Sequence, residues 1–160
     1  MPLMAQKLLV IGYGNPGRGD DGLGPALAAQ MQSLALPHLA VEIDYQLTVD
    51  HAELISRYAM VVFADAEIGL DAPFRFSQVD GSAPKALGSH QVSPEAAIAL
   101  ADLLFGHAPS AWTMGISGCA FGEVREGLSP EATANLAMAS DFLHQWLVQA
   151  KLQFPSPLDG

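Results

Sequence analysis

Two adjacent carboxylates in a glycine-rich turn, Asp20 and Asp21, are the first residues whose type and placement call for chemistry. They follow the apolar run Leu8-Leu-Val-Ile-Gly12 and lie in a stretch, Gly14 to Gly24, that holds five glycines and a proline ahead of Pro25. Neighbouring carboxylates in a tight turn repel each other unless a helix N-terminus or a cation compensates, so a cation site is plausible there. A second carboxylate, Asp65, ends the largely apolar run Met60-Val-Val-Phe-Ala64, where it would face a desolvation cost unless paired or coordinated. His90 precedes a helix start in Gly88-Ser-His-Gln-Val-Ser93. Two carboxylates and one imidazole suit a borderline divalent metal and leave positions open for a substrate or water. Taken singly, each has a plainer reading: Asp21 as a helix-end residue, Asp65 as a turn former, His90 as an exposed loop residue. Periodicity alone does not show that the three meet.

The same turn invites a different reading. Gly12-Tyr-Gly14-Asn15-Pro-Gly17 satisfies G-x-G-x-x-G directly after an expected strand, the pattern of a Rossmann-like nucleotide-binding loop. In that motif the third glycine opens a helix whose N-terminus receives a pyrophosphate, whereas here Arg18-Gly-Asp20-Asp21-Gly22 follows and sets two carboxylates where a dianion must bind. Asp44 also comes too late to serve as the ribose-binding acid. A cysteine protease built from Cys119 with His90 or His107 has weak support. Cys119 follows Ile116-Ser-Gly118 in a setting typical of a small buried residue, and nothing marks a lowered thiol pKa. No nucleophile-elbow motif supports a serine triad. His38, His51, His107 and His144 read as surface or helix-face residues.

The elements that must position these residues follow from patterning. Leu8 to Gly12 reads as a first strand buried on both faces of a parallel sheet, followed by a helix from about Pro25 to Ser33. Val41 to Asp44 and Met60 to Ala64 are further strands, separated by a helical stretch from His51 to Tyr58. Phe74 to Val79 alternates as an edge strand that can lie antiparallel. Ser93-Pro-Glu and Ser129-Pro-Glu both start helices, with Trp112 to Ser117 between them as a last strand. The final helix spaces Leu136, Ala139, Leu143, Trp146 and Ala150 along one face. This alternation gives an α/β fold: a single three-layer domain over residues 1–153, with a twisted, mostly parallel sheet and helices on both faces. Residues 154–160 read as a flexible tail. In such a sheet ligands bind outside the carboxyl ends of the strands, where Asp21, Asp65 and His90 can converge.

Composition narrows the class. The chain has 160 residues, half of them hydrophobic, which suits one domain with a real core. Seven basic against seventeen acidic residues give a net charge of -10, which argues against nucleic acid as a partner. One cysteine and no signal-peptide pattern point to the cytoplasm, and no apolar run approaches membrane-spanning length.

The segment Gly12-Tyr-Gly14-Asn15-Pro-Gly-Arg-Gly-Asp20-Asp21-Gly22-Leu-Gly24 resembles the G-x-G-N-x-x-x-x-D-[DE]-x-x-G signature of hydrogenase maturation endopeptidases. Phe63-Ala-Asp65-Ala66 is similar to that family's strand-end aspartate motif, and Ser89-His90-Gln91 with Ser93-Pro94 to its histidine segment. Gly127-Leu-Ser129 looks like the region before its last helix. The resemblance implies an endopeptidase of aspartic type that removes the C-terminal extension of a nickel-loaded nickel-iron hydrogenase large-subunit precursor. It further implies a metal site of Asp21, Asp65 and His90, with nickel supplied by the precursor and no tightly bound cofactor. The first ligand is Glu or Asp in the family, so Asp21 is within pattern. Tyr45-Gln46-Leu47 looks more like members serving soluble hydrogenases than those serving membrane-bound ones. A nickel-sensing maturation chaperone without proteolysis would use the same ligands.

Overall fold

The computed structural model describes residues 8–79, 92–122 and 124–151. Its five strands are Leu8–Tyr13 (β1), Leu39–Asp44 (β2), Met60–Ile68 (β3), Phe74–Gln78 (β4) and Ser110–Gly118 (β5). They form one sheet in the order β2-β1-β3-β5-β4, parallel except for β4, which runs antiparallel to β5 at one edge. The helices are Leu23–Ser33 (α1), Asp50–Ile55 (α2), Pro94–Phe105 (α3) and Pro130–Lys151 (α4).

The strands are apolar on both faces because both faces are covered. Leu8, Val10, Val62, Met114 and Ile116 pack with Leu27 and Met31 of α1 and Leu136 and Leu143 of α4. Leu9, Ile11, Val61 and Phe63 pack with Ala52 and Ile55 of α2 and Ala97 and Ala101 of α3. The expected stripe on α4 is buried at Leu136, Ala139, Leu143 and Ala150, while Trp146 stacks edge-on against Trp112 and Phe76. Both serine caps form: Ser93 Oγ accepts from the Ala96 N–H and Ser129 Oγ from the Ala132 N–H, each at 3.1 Å.

Several boundaries differ from the sequence expectation, with β2 starting at Leu39 and β5 spanning Ser110–Gly118. A 3-10 turn, Gly19–Gly22, leads directly into α1, so the helix begins at Leu23, and Pro25 falls in the first turn where its missing N–H is not needed. α2 stops at Ile55 and gives way to tight turns through Tyr58. β3 does not end at Ala64. Its pairing with β1 stops at Gly12↔Ala64, but pairing with β5 continues from Asp65↔Gly115 to Ile68↔Gly118. Asp65 therefore lies inside a strand, one residue past the point where its pairing with β1 stops.

The strand order also creates a crevice. From β1 the chain passes through α1 to β2 at one edge of the sheet, whereas from β3 it goes to β4 at the other. Adjacent parallel strands whose connections diverge leave an opening outside their carboxyl ends, the usual ligand position in open α/β sheets. β1 and β3 make that opening here.

Candidate functional site

Glycine packing sets the turn after β1 close against the sheet. A Cβ on Gly12 would come within 2.3 Å of the Gly24 carbonyl oxygen, and one on Gly24 within 2.5 Å of the Ala64 oxygen, so the start of α1 lies flush on β1 and β3. Gly14 has φ +145°, and a Cβ there would reach 2.0 Å from the Asp21 carbonyl oxygen. The Asp21 backbone thus rests on Gly14, and its Oδ2 accepts from the Asn15 N–H at 2.8 Å.

Asp20, which sequence reasoning read only as a repelling neighbour, turns the other way and is fully buried. Its Oδ2 accepts from the Cys119 N–H at 2.8 Å, the Ala120 N–H at 2.9 Å and the Ser129 hydroxyl at 2.7 Å. Its Oδ1 accepts from the Ser129 N–H at 2.7 Å. Burial alone would raise its pKa, but these donors outweigh that and hold it at about 2. The pair of carboxylates is therefore divided: backbone amides and a hydroxyl satisfy Asp20, and Asp21, half-buried, takes the Asn15 N–H within its own turn. No local signal marks this, because the partners lie about a hundred residues away in sequence.

Asp65 is half-buried on the α3 side of the sheet and accepts from the Ala66 N–H at 2.8 Å. Burial, then the negative charges of Asp21 and Glu67, push its pKa up to about 7 against the opposing Ala66 bond. The charge of Asp21 thus bears on Asp65. Asp65 also lines a cavity of about 410 Å³ with Tyr13, Glu67, Arg75, Glu95 and Thr113. Glu67 is ion-paired to Arg75 on β4 and lies over Gly115, where a Cβ would come within 2.4 Å of its carboxylate. The Tyr13 hydroxyl is raised by burial and by the charges of Asp65, Glu95 and Glu67.

His90 lies outside the described residues. Among the described residues no three His, Cys, Asp or Glu side chains form a metal site. Of the three expected ligands, the structure relates Asp21 and Asp65 and does not address the third.

No protein-family model matches the sequence, and no curated protein matches it in sequence. Solved structures do match. The hydrogenase 2 maturation peptidase from Thaumarchaeota archaeon SCGC_AB-539-E09 gives a TM-score of 0.65 at 22% identity, over 89% of this chain and 98% of that one. The E. coli hydrogenase maturating endopeptidase HybD gives 0.66 at 18%, over 91% and 94%. The NiFe hydrogenase maturation protease HycI from Thermococcus kodakarensis KOD1 gives 0.67 at 18%, over 88% and 91%. The fold is that of the hydrogenase maturation proteases.

Within this maturation-protease fold the glycine loop is not arranged to receive a phosphate. The Asn15 N–H is engaged by Asp21, and the Gly17 N–H by Asn15 Oδ1 at 2.9 Å, so the loop's own side chains take up these donors. Cys119 is exposed, contrary to the expectation of a buried residue, because β5 ends at Gly118 and the next residue enters a surface loop. Its thiol is raised, first by a hydrogen bond with Glu131, the opposite of what an activated nucleophile needs. His51, expected on a surface or helix face, is buried. Its Nδ1 accepts from the Thr48 N–H at 2.9 Å, and its Nε2 lies 3.5 Å from Asp44 Oδ2. His107 is half-buried, with Nε2 2.9 Å from the Tyr58 carbonyl oxygen. Among the described residues no helix is long and apolar enough to cross a membrane.

Proposed function

We propose that this chain is a cytoplasmic endopeptidase that removes the C-terminal extension of a nickel-loaded nickel-iron hydrogenase large-subunit precursor. The observation that supports this reading is the charge of Asp21 bearing on Asp65 at the carboxyl ends of β1 and β3, in a fold shared with proteins named as hydrogenase maturation proteases. The nickel belongs to the substrate. Asp21, Asp65 and His90 would complete its coordination as the precursor docks, so that metal and scissile peptide arrive together and the bond is fixed beside the carboxylates. The crowding of Asp65 by Asp21 and Glu67 supports this, since a divalent cation between carboxylates relieves their repulsion.

The test is a cross between metal states. Chelator-treated protein is mixed with nickel-loaded precursor, and untreated protein with nickel-free precursor, and the large subunit is weighed by mass spectrometry. Cleavage is expected only in the first mixture. Cleavage only in the second would identify a metalloprotease carrying its own ion, and stable binding with no cleavage in either would identify a nickel-sensing chaperone.

A further inference from the structure

We infer that Asp20 is the positioning residue of the site, setting Asp21 through a buried knot that ties its turn to both ends of the β5–α4 connection; the inference rests on the proposed peptidase reading only for its effect on catalysis. The carboxylate gathers the end of β5, through the Cys119 and Ala120 amides, and the start of α4, through the Ser129 amide and hydroxyl. Ser129 Oγ in turn accepts from the Ala132 N–H, so the α4 cap and the Asp20 anchor are one hydroxyl. Backbone bonds tighten the same join. The Asp20 N–H donates to the Ala120 oxygen at 2.9 Å, the Gly19 N–H to the Arg125 oxygen at 2.7 Å, and the Arg125 N–H to the Gly17 oxygen at 2.9 Å.

This join decides where Asp21 sits. Both aspartates belong to one 3-10 turn, so fixing the first fixes the backbone of the second, while Gly14 supports Asp21 from the other side. The site tolerates no near-substitute at position 20. An Asn amide would turn its NH₂ toward donors whichever way it flipped, since both Asp20 oxygens accept from N–H groups. A longer Glu would carry its carboxylate past donors set 2.7 to 2.9 Å from the Asp20 oxygens.

The knot can be broken without substituting any of the three proposed ligands. In the full-length ¹⁵N-labelled protein, the Asn15 amide reports Asp21 directly, because it donates to Asp21 Oδ2. Asp20→Asn and Ser129→Ala are compared with Asp21→Asn and with Leu143→Ala, which destabilises the α4 core far from the turn. Asp20→Asn and Ser129→Ala are expected to shift the Asn15 resonance toward its position in Asp21→Asn and to speed its hydrogen exchange, and Leu143→Ala to leave the resonance in place. With nickel-loaded precursor the first two should lose roughly tenfold to a hundredfold in kcat at little change in KM, the cost of a misplaced group. Ser129→Ala keeps the assay decisive if Asp20→Asn does not fold, because the amide donors to Asp20 remain. An unmoved Asn15 resonance in folded variants would overturn the inference. Wild-type protein that cleaves no precursor while the Asn15 result holds would overturn the peptidase reading and leave the positioning role standing.

Discussion

Asp65→Asn should make the metal-free protein more stable while removing its proposed activity. A carboxyl whose pKa rises from 3.8 to about 7 on folding binds a proton more tightly in the native state than in the unfolded chain. Below the unfolded value both states are protonated and nothing is lost. Between the two values the unfolded chain ionises first, and native stability falls by about 1.4 kcal/mol per pH unit, levelling off above about 7 at a cost of up to about 4 kcal/mol. An Asn side chain carries no such penalty, and its carbonyl oxygen can still accept from the Ala66 N–H. Because Asp65 keeps some contact with solvent, about half of the full cost is the sensible expectation. The advantage of the Asn variant should be roughly 1–2 kcal/mol larger at about pH 8 than at about pH 5. Urea denaturation of both proteins at the two pH values, with chelator present, measures it. An advantage that does not change with pH, or a less stable Asn variant at the higher pH, would refute the burial and charge-crowding argument.

Other outcomes follow from the same geometry. Gly12→Ala should cost about 1–3 kcal/mol in denaturant unfolding, since its Cβ would meet the Gly24 oxygen at 2.3 Å and the Ala28 Cβ at 2.6 Å. Cys119→Ser should process precursor as well as wild type by mass spectrometry, whereas Asp65→Ala should fold and leave the extension attached; the reverse pattern would reinstate the cysteine. Leu143→Ala, fully buried between α4 and the sheet, should lower stability by about 2–5 kcal/mol by the same unfolding assay.

Much of the architecture was legible because its causes are local. The unbroken apolar run at Leu8, the alternation from Phe74 and the two Ser-Pro-Glu caps each fixed an element without help from the rest of the chain. The continuation of β3 was not legible. Asp65 and Glu67 interrupt the apolar pattern, and only pairing with Gly115 to Gly118 of β5 keeps that segment in the sheet. His51 was misread for a similar reason: a histidine in a short helix looks exposed until the Thr48 N–H and Asp44 are placed around its ring. Asp21 and Asp65 were visible as candidates through their types and positions, and their nearness depends on a strand order that periodicity does not carry. Asp20 was the main residue missed, since a buried carboxylate is recognised by its donors, and all of these are remote.

The knot at Asp20 also sets when in the life of the chain the turn can take shape. Synthesis proceeds from the N-terminus, and the early segments can dock as they emerge. The donors to Asp20 at Cys119, Ala120 and Ser129 are made about a hundred residues later. Until they leave the ribosome, the Asp20 carboxylate has none of these donors, and only the local bonds at Asn15 and Gly17 shape the turn. A nascent chain, or one truncated before Ser129, should therefore carry Asp21 without its finished geometry, which ties competence to synthesis past the cap of the last helix.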